Sequence, residues 1–345
     1  MKNILVTGGA GYIGSHTSIE LLEGGYNVIC VDNFSNSSKD IFDVIHDLTG
    51  KHVTWYEADV CDVEALRKIV KAHDIDCVIH FAGYKAVGES VEKPLMYYQN
   101  NIDSTLALCE VCLENSINNI VFSSSATVYG APQYLPLDEH HSLSATNPYG
   151  NCKLFIEHIL KDVHVAHPEM NIALLRYFNP VGAHPSHRLG ESPKGIPNNL
   201  MPYICQTASG LREQLSIFGD DYDTVDGTGV RDYIHVVDLA KGHAAAIKKL
   251  ATAPGCVVYN LGTGNGTSVL ELVRTFITEN NVDVPFAIAP RRAGDIAECW
   301  ADPASAKEEL GWEAQYTIVD MVRDSWEAQK RMNTNEKVTV ASEAV

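Results

Sequence analysis

The chain has 345 residues, 45% hydrophobic and 20% charged, with nine cysteines and a formal net charge of -18 at pH 7. Such a chain can bury a sizeable core as one large or two smaller domains, and its excess of carboxylates argues against nucleic acid and anionic membranes as partners. No apolar run is long enough to span a bilayer, Met1-Lys2-Asn3 leads straight into Ile4-Leu5-Val6 without a secretory leader, and an odd set of scattered cysteines suits a reducing cytosol.

Lys2–Thr7 reads as a buried strand, followed by the loop Gly8-Gly9-Ala10-Gly11-Tyr12-Ile13-Gly14 and a helix through Leu21-Leu22. In this context Gly9 and Gly11 let the backbone turn towards a pyrophosphate, and Gly14 lets the helix pack on the strand. The helix N-terminus offers free N–H groups and a positive dipole end to the phosphates. A second strand, Asn27–Val31, ends in Asp32, at the distance from Gly14 (about 20 residues) where a carboxylate meets the adenosine ribose hydroxyls. That carboxylate repels a 2′-phosphate, so NAD is favoured over NADP.

The alternation continues. Val53–Tyr56 is a third strand, ending at Asp59-Val60, and Asp62 caps a helix over Val63–Ala72. Cys77–Phe81 is a fourth strand, followed by Ala82-Gly83-Tyr84-Lys85. A long helix after Pro94 carries Leu95, Ile102, Leu106, Cys109 and Leu113 at helical spacing. Cys109 and Cys112 lie on its apolar stripe, which makes them a buried structural pair. Ile120–Phe122 is a fifth strand, ending in Ser123-Ser124-Ser125. Strands and helices alternating in this way give an α/β, Rossmann-type doubly wound parallel sheet. Ligand groups in such sheets sit at the carboxyl ends of strands, where Asp32, Asp59, Lys85 and Ser125 fall.

Tyr149 and Lys153 stand four residues apart, on one face of a helix. A fixed ammonium stabilises a phenolate and lowers its pKa. Bringing Tyr149 from about 10 to about 7 needs roughly 4 kcal/mol, which Lys153 and a positive nicotinamide ring together are expected to supply.

Three stretches resemble the extended short-chain dehydrogenase/reductase family: Val6–Gly14, Ser123–Gly130 (Ser-Ser-Ser-Ala-Thr-Val-Tyr-Gly) and Tyr149-x-x-x-Lys153. His80–Ser90, Arg176–Ala183, Gly195–Leu200 and Gly227–Tyr233 are similar to one branch of it, the UDP-hexose 4-epimerases, and the resemblance covers roughly residues 1–325. It implies a tightly held NAD and a catalytic set of Tyr149 as base, Ser125 on the same sugar oxygen and Lys153 on the nicotinamide ribose. Gly8, Gly11, Tyr12, Ile13, Gly14, Asp32, Asn33, Asn36, Ser37, Asp59, Val60, Phe81, Ala82, Gly83, Lys85, Asn100 and Phe178 would complete the NAD site. Arg231 and Arg292 would take the UDP pyrophosphate, and Asn179, Asn199, Leu200, Ser216, Ile217, Phe218 and Asp295 the rest of the nucleotide sugar. Cys299 would stand at the wall of the sugar pocket, where a small residue admits N-acetylated sugars and a Tyr excludes them. Homodimerisation through residues 92–115 and 150–166 is also implied. A sugar-nucleotide 4,6-dehydratase would carry an Asp-Glu pair where Ala126-Thr127 stand, and a non-catalytic NAD-sensing regulator would typically have lost Tyr149 or Lys153.

After Leu175-Arg176, a sixth strand, Asn179–Asn199 reads as a long and therefore functional loop. A smaller lobe is expected to include Leu215–Phe218, Val257–Asn260 and Ser268–Glu279. The resulting division is a NAD-binding domain over 1–178, a mainly substrate-binding mixed α/β lobe over 179–330, with the chain free to cross back, and a flexible tail over 331–345. Gly262-Thr-Gly264-Asn-Gly266 mimics a second phosphate loop but lacks a following acid, so a plain turn is expected. His184-Pro-Ser-His187 and His140-His141 lack metal-ligand spacing, and no metal is expected.

Overall fold

The computed structural model describes residues 1–195, 197–292 and 294–343, the stretch from 334 onwards as backbone only. Its first half alternates strand and helix: β1 (Asn3–Thr7), α1 (Tyr12–Glu23), β2 (Asn27–Asp32), α2 (Ile41–Thr49), β3 (Thr54–Glu57), α3 (Val63–Lys71) and β4 (Cys77–His80). There follow α4 (Val87–Glu92), α5 (Pro94–Glu114), β5 (Asn119–Ser125), α6 (Pro148–Ala166) and β6 (Asn171–Tyr177). The second half comprises β7 (Asn179–Val181), α7 (Leu200–Ala208), β8 (Leu215–Phe218), β9 (Val230–Arg231), β10 (Tyr233–His235), α8 (Val236–Thr252) and β11 (Cys256–Leu261). It ends with β12 (Thr267–Ser268), α9 (Val269–Asn280), β13 (Phe286–Ala289), β14 (Glu298–Cys299), α10 (Ala304–Leu310) and α11 (Ile318–Glu343).

Seven parallel strands form the central sheet in the order β11-β6-β5-β4-β1-β2-β3. Both faces are covered at β1, β2 and β4, which is why those strands are nearly continuous apolar runs, whereas the edge strand β3 is largely exposed. Ile4 and Val6 enter the core under α1, α2 and α8, while Leu5 between them enters the core under α3, α5 and α6. Ile79 and Val78, and Val121 and Ile120, divide in the same way. Cys109 and Cys112 are buried in the second of these cores. Helix starts follow local chemistry: the Asp62 carboxylate accepts from Ala65 N at 3.0 Å to cap α3, and the Ser268 hydroxyl and Glu271 carboxylate close a capping box on α9.

Val257–Asn260, read as part of the smaller lobe, instead forms the core of β11 and pairs with β6 at the edge of the main sheet, while α8 packs on α1. The chain therefore returns to the first layer after β7–β10. A short strand fixes its own apolar pattern but not its partner, so this placement is a tertiary decision. The smaller lobe is built on Met201, Ile204, Leu215, Ile217, Phe276, Val322 and Trp326. Beyond residue 330, where a flexible tail is expected, the backbone is helical as far as Glu343, and residues 344 and 345 lie outside those described.

Candidate active site

The carboxyl ends of β1, β2, β4, β5 and β6 lie along one edge of the parallel sheet. Beside the end of β5 lies the start of α6. The Asn147 side chain accepts from Gly150 N at 2.9 Å and Pro148 fills the first turn, so the helix begins in a fixed place beside Tyr149. Tyr149 is buried among Ala86, Tyr97 and Cys152, and its own N–H donates to Ser90 Oγ at 3.2 Å. Ser125, the last residue of β5, accepts from Thr127 N at 3.2 Å and Thr127 Oγ1 at 3.0 Å, and it hydrogen-bonds Tyr149. With two donors already on its oxygen, the Ser125 hydroxyl has its own proton to give.

Lys153 lies one turn below, its Nζ donating to the Ser123 carbonyl at 2.7 Å, 4.9 Å over the Phe122 ring and 5.9 Å from the Tyr149 ring. Burial pulls this ammonium down to about 8. Burial also pushes the Tyr149 phenol up to about 12, against a smaller downward pull from Ser125 and with Cys152 adding to the rise. In the protein by itself Lys153 addresses the Ser123 carbonyl, and desolvation outweighs it. His80, behind Lys153, is bracketed by Thr7 Oγ1 at 2.7 Å and Thr105 Oγ1 at 3.2 Å and lowered to about 3 by burial and then by Lys153, so it stays neutral.

The glycine loop meets the requirements of a dinucleotide cradle. Gly8 has φ +67°, and a Cβ on Gly14 would stand 2.4 Å from the Gly8 carbonyl oxygen. Gly11 heads α1 with no side-chain cap and no acid in the first turn, so the helix N-terminus is unclaimed by its own side chains. Asp32 is held by Ala10 N at 3.0 Å, Phe34 N at 2.9 Å and Ser37 Oγ at 2.9 Å. Asn33 donates to Asp59 at 3.2 Å, which joins the ends of β2 and β3, and Asn36 accepts from Lys194 N at 3.3 Å. Ala82 N is close enough to Gly8 that a Cβ there would lie 2.8 Å from it, and Gly83 faces Asn101, to which Asn100 donates at 2.9 Å. Ile13 packs on the core below the loop, Val60 is buried beneath β3, and Phe81 lies 4.7 Å from His243. Tyr12 donates to the Gly182 carbonyl at 2.7 Å, and Lys85 is paired with Glu191 at 2.9 Å. The uncapped helix, the glycine cradle and the braced carboxylate fit a dinucleotide.

On the other side, Phe178 and Cys299 share a small apolar cluster with Val128, Tyr129 and Leu154. Cys299 is in parallel register with Arg231, and burial pushes its thiol up to about 11. Arg231 donates to the carbonyls of Val230 at 2.8 Å and Ile296 at 2.9 Å, while Arg292 pairs with Asp295 at 2.8 Å and lies 4.9 Å over the Phe218 ring. On β8, Ser216 and Phe218 face outwards, whereas the side chain of Ile217, expected in the substrate site, points into the lobe core. Asn179 N donates to the Asp232 carbonyl at 3.0 Å, and Asn199 and Leu200 open α7.

Among the described residues no group of three His, Cys, Asp or Glu side chains is placed to hold a metal ion, and no helix is long and apolar enough to cross a membrane. The turn Gly262–Gly266 is filled from within: the N–H groups of Thr263 and Gly264 donate to the buried Asp232 carboxylate. Sequence reasoning missed Asp232 in this role and also Thr127, Tyr177 and Glu191. Tyr177 is buried with its hydroxyl on Ser123 Oγ. Thr127 lies inside a quoted motif, whereas Glu191 carried no sequence signal.

Comparison with known proteins agrees with this geometry. Residues 5–325 match the GDP-mannose 4,6 dehydratase family. A UDP-glucose 4-epimerase from Bacillus subtilis is 58% identical over 94% of this chain and 96% of its own. The structure of UDP-glucose 4-epimerase from Bifidobacterium longum, in complex with NAD+ and UDP, is 54% identical with a TM-score of 0.93 over 96% of this chain and 98% of that one. That of the Stenotrophomonas maltophila enzyme, with bound NAD and formylated UDP-arabinopyranose, is 47% identical with a TM-score of 0.95 over 97% and 100%. Fold and site together define an extended short-chain dehydrogenase/reductase. Within that class the chain belongs to the UDP-glucose 4-epimerase family.

Proposed function

We propose that this chain is an NAD-dependent isomerase that interconverts UDP-galactose and UDP-glucose through a transient 4-keto sugar, and that it also takes UDP-GalNAc and UDP-GlcNAc. The observation that carries the reading is the Ser125 hydroxyl acting on the Tyr149 phenol with Lys153 one turn along the same helix, in a chain that also carries the glycine cradle after β1. NAD, when bound, supplies a hydride acceptor and then a hydride donor. Tyr149 as phenolate takes the proton of the sugar 4′-hydroxyl, and the Ser125 hydroxyl steadies that oxygen as charge develops. The keto sugar turns over about its link to the pyrophosphate, and Tyr149 returns its proton to the same oxygen on the opposite face. Lys153 would hold the nicotinamide ribose.

Ala126 and Thr127 form a single 3₁₀ turn directly after Ser125, so no carboxylate pair stands there to eliminate water, which favours epimerisation over 4,6-dehydration. The small Cys299 beside Phe178 supports the wider substrate range. A phenol in that cluster would fill the space of an N-acetyl group at a cost of about 1–3 kcal/mol, or roughly tenfold to hundredfold in discrimination. Nine free thiols support a reducing cytosol, and the exposed Leu95 and Leu106 on α5 and Phe155 and Val165 on α6 support a homodimer. Product analysis with UDP-galactose and UDP-GalNAc tests the reading, with UDP-glucose and UDP-GlcNAc expected. Cys299→Tyr should remove most of the N-acetyl activity and spare UDP-galactose. A 4-keto-6-deoxy product would overturn the reaction, and equal survival of both activities would overturn the gate.

A further inference from the structure

Glu191 lies in the loop between β7 and α7, outside every recognised motif. Its Oε1 accepts from two donors that belong to different lobes: Lys85 Nζ at 2.9 Å and Asn199 Nδ2 at 2.6 Å. The carboxylate is 10% exposed. Lys85 follows β4 on the cofactor side, and Asn199 heads α7 on the nucleotide-sugar side. Asn199 occupies the N-cap of α7, where an Asn side chain ordinarily accepts from the first helical amides. It makes no such bond. Its amide is turned to Glu191 instead, so no capping side chain claims the leading N–H groups of α7. The same carboxylate lies near enough to raise the Tyr12 phenol, whose hydroxyl holds the Gly182 carbonyl at 2.7 Å where this loop begins.

We infer that Glu191 is a positioning residue that couples the two halves of the site. By holding Lys85 and Asn199 on one oxygen, it keeps the Asn199 side chain off the start of α7, so that those N–H groups and the remaining amide oxygen are left for the uridine nucleotide, and it keeps the Lys85 ammonium beside the cofactor. Binding in one half thereby steadies the other. This rests on the NAD and UDP-sugar reading above. A plain strut between lobes would account for the same contacts, and it differs in what it predicts: loss of stability without a change in nucleotide affinity.

The test uses the holoenzyme and four variants: Glu191→Gln, Glu191→Ala, Lys85→Met and the double variant Glu191→Gln with Lys85→Met. Glu191→Gln keeps the shape of the side chain and gives up the charge, so it carries the test if Glu191→Ala does not fold. Three quantities are read: UDP affinity by calorimetry, the rate of NAD loss with and without UDP, and KM against kcat for UDP-galactose. In the wild type UDP should slow NAD loss. In Glu191→Gln the UDP Kd and the KM should both rise about tenfold with kcat within about threefold, and UDP should no longer protect NAD. Lys85→Met should abolish the same protection and add nothing further in the double variant, because the two residues act as one link. Glu191→Gln with UDP affinity and NAD protection within about twofold of wild type overturns the inference. A lowered urea midpoint with unchanged KM overturns it too, because that is the behaviour of a strut. If the wild type binds neither UDP nor NAD, the functional reading falls and this inference with it. An active wild type beside an unaltered Glu191→Gln sinks the inference alone.

Discussion

The acidity of Tyr149 should depend on the bound cofactor, and Lys153 should not set it alone. Burial holds the phenol at about 12 with the Ser125 hydrogen bond already in place. Service as a base near pH 7 requires a fall of about five units, on the order of 7 kcal/mol at ~1.36 kcal/mol per unit. One unit positive charge about 4 Å away is worth about 4 kcal/mol at an effective dielectric of about 20. Lys153 therefore does not suffice, even if its ammonium leaves the Ser123 carbonyl. A second cation is needed, and the oxidised nicotinamide ring is the one the chemistry offers. The perturbation is cofactor loading, in the wild type and in Lys153→Met, each with Tyr149→Phe as the reference. The assay is ultraviolet difference titration of phenolate. Without NAD+ no Tyr149 phenolate should form below about pH 10 in either protein. With NAD+ it should appear near pH 7 in the wild type and about three units higher in Lys153→Met, the equivalent of about 4 kcal/mol. A phenolate at neutral pH in the cofactor-free wild type would refute the reasoning, as would an unmoved value in loaded Lys153→Met.

Tyr149→Phe should abolish epimerisation while the purified protein still carries NAD, because it removes the proton acceptor and no cofactor contact; turnover within a few-fold of wild type would contradict the assignment. Gly14→Ala should release NAD and lower stability by about 1–3 kcal/mol, since its Cβ would stand 2.4 Å from the Gly8 carbonyl; cofactor content by absorbance and a urea midpoint check both parts. Glu157→Gln should cost about 3–5 kcal/mol, because it leaves the buried Arg176 guanidinium, now bonded at 2.9 and 2.7 Å, without its counter-charge. Because Glu157 also accepts from Ser124 Oγ at 2.6 Å, next to Ser125, kcat should fall with stability, and an unchanged denaturant midpoint would show the pair to be expendable.

Much of the site was legible because its chemistry depends on short-range spacing. The glycine loop, Asp32 at the end of its strand and Tyr149-x-x-x-Lys153 each lie within one supersecondary unit, so residue order alone sets their geometry. Val257–Asn260 reads locally as a strand of the smaller lobe but joins the main sheet, because strand pairing is a long-range choice, here made by β6. For Tyr149, helical spacing gives the nearness of a cation, whereas the desolvation that opposes it comes from burial among Ala86, Tyr97 and Cys152, which residue order does not show.

Sequence by itself determined the parallel α/β sheet, the glycine cradle and the pairing of Tyr149 with Lys153 on one helix, since local periodicity and glycine conformational freedom act over a few residues. Only the tertiary structure decided that β11 and α8 return to the first layer, that Asp232 fills the turn at Gly262–Gly266, and that Glu191 in one lobe's loop holds Lys85 and Asn199 on a single oxygen. These are contacts between residues 31 and 106 positions apart in the chain at Asp232 and Lys85. Nothing in the local pattern specifies them, because they form only once the packed cores have fixed where each loop must lie.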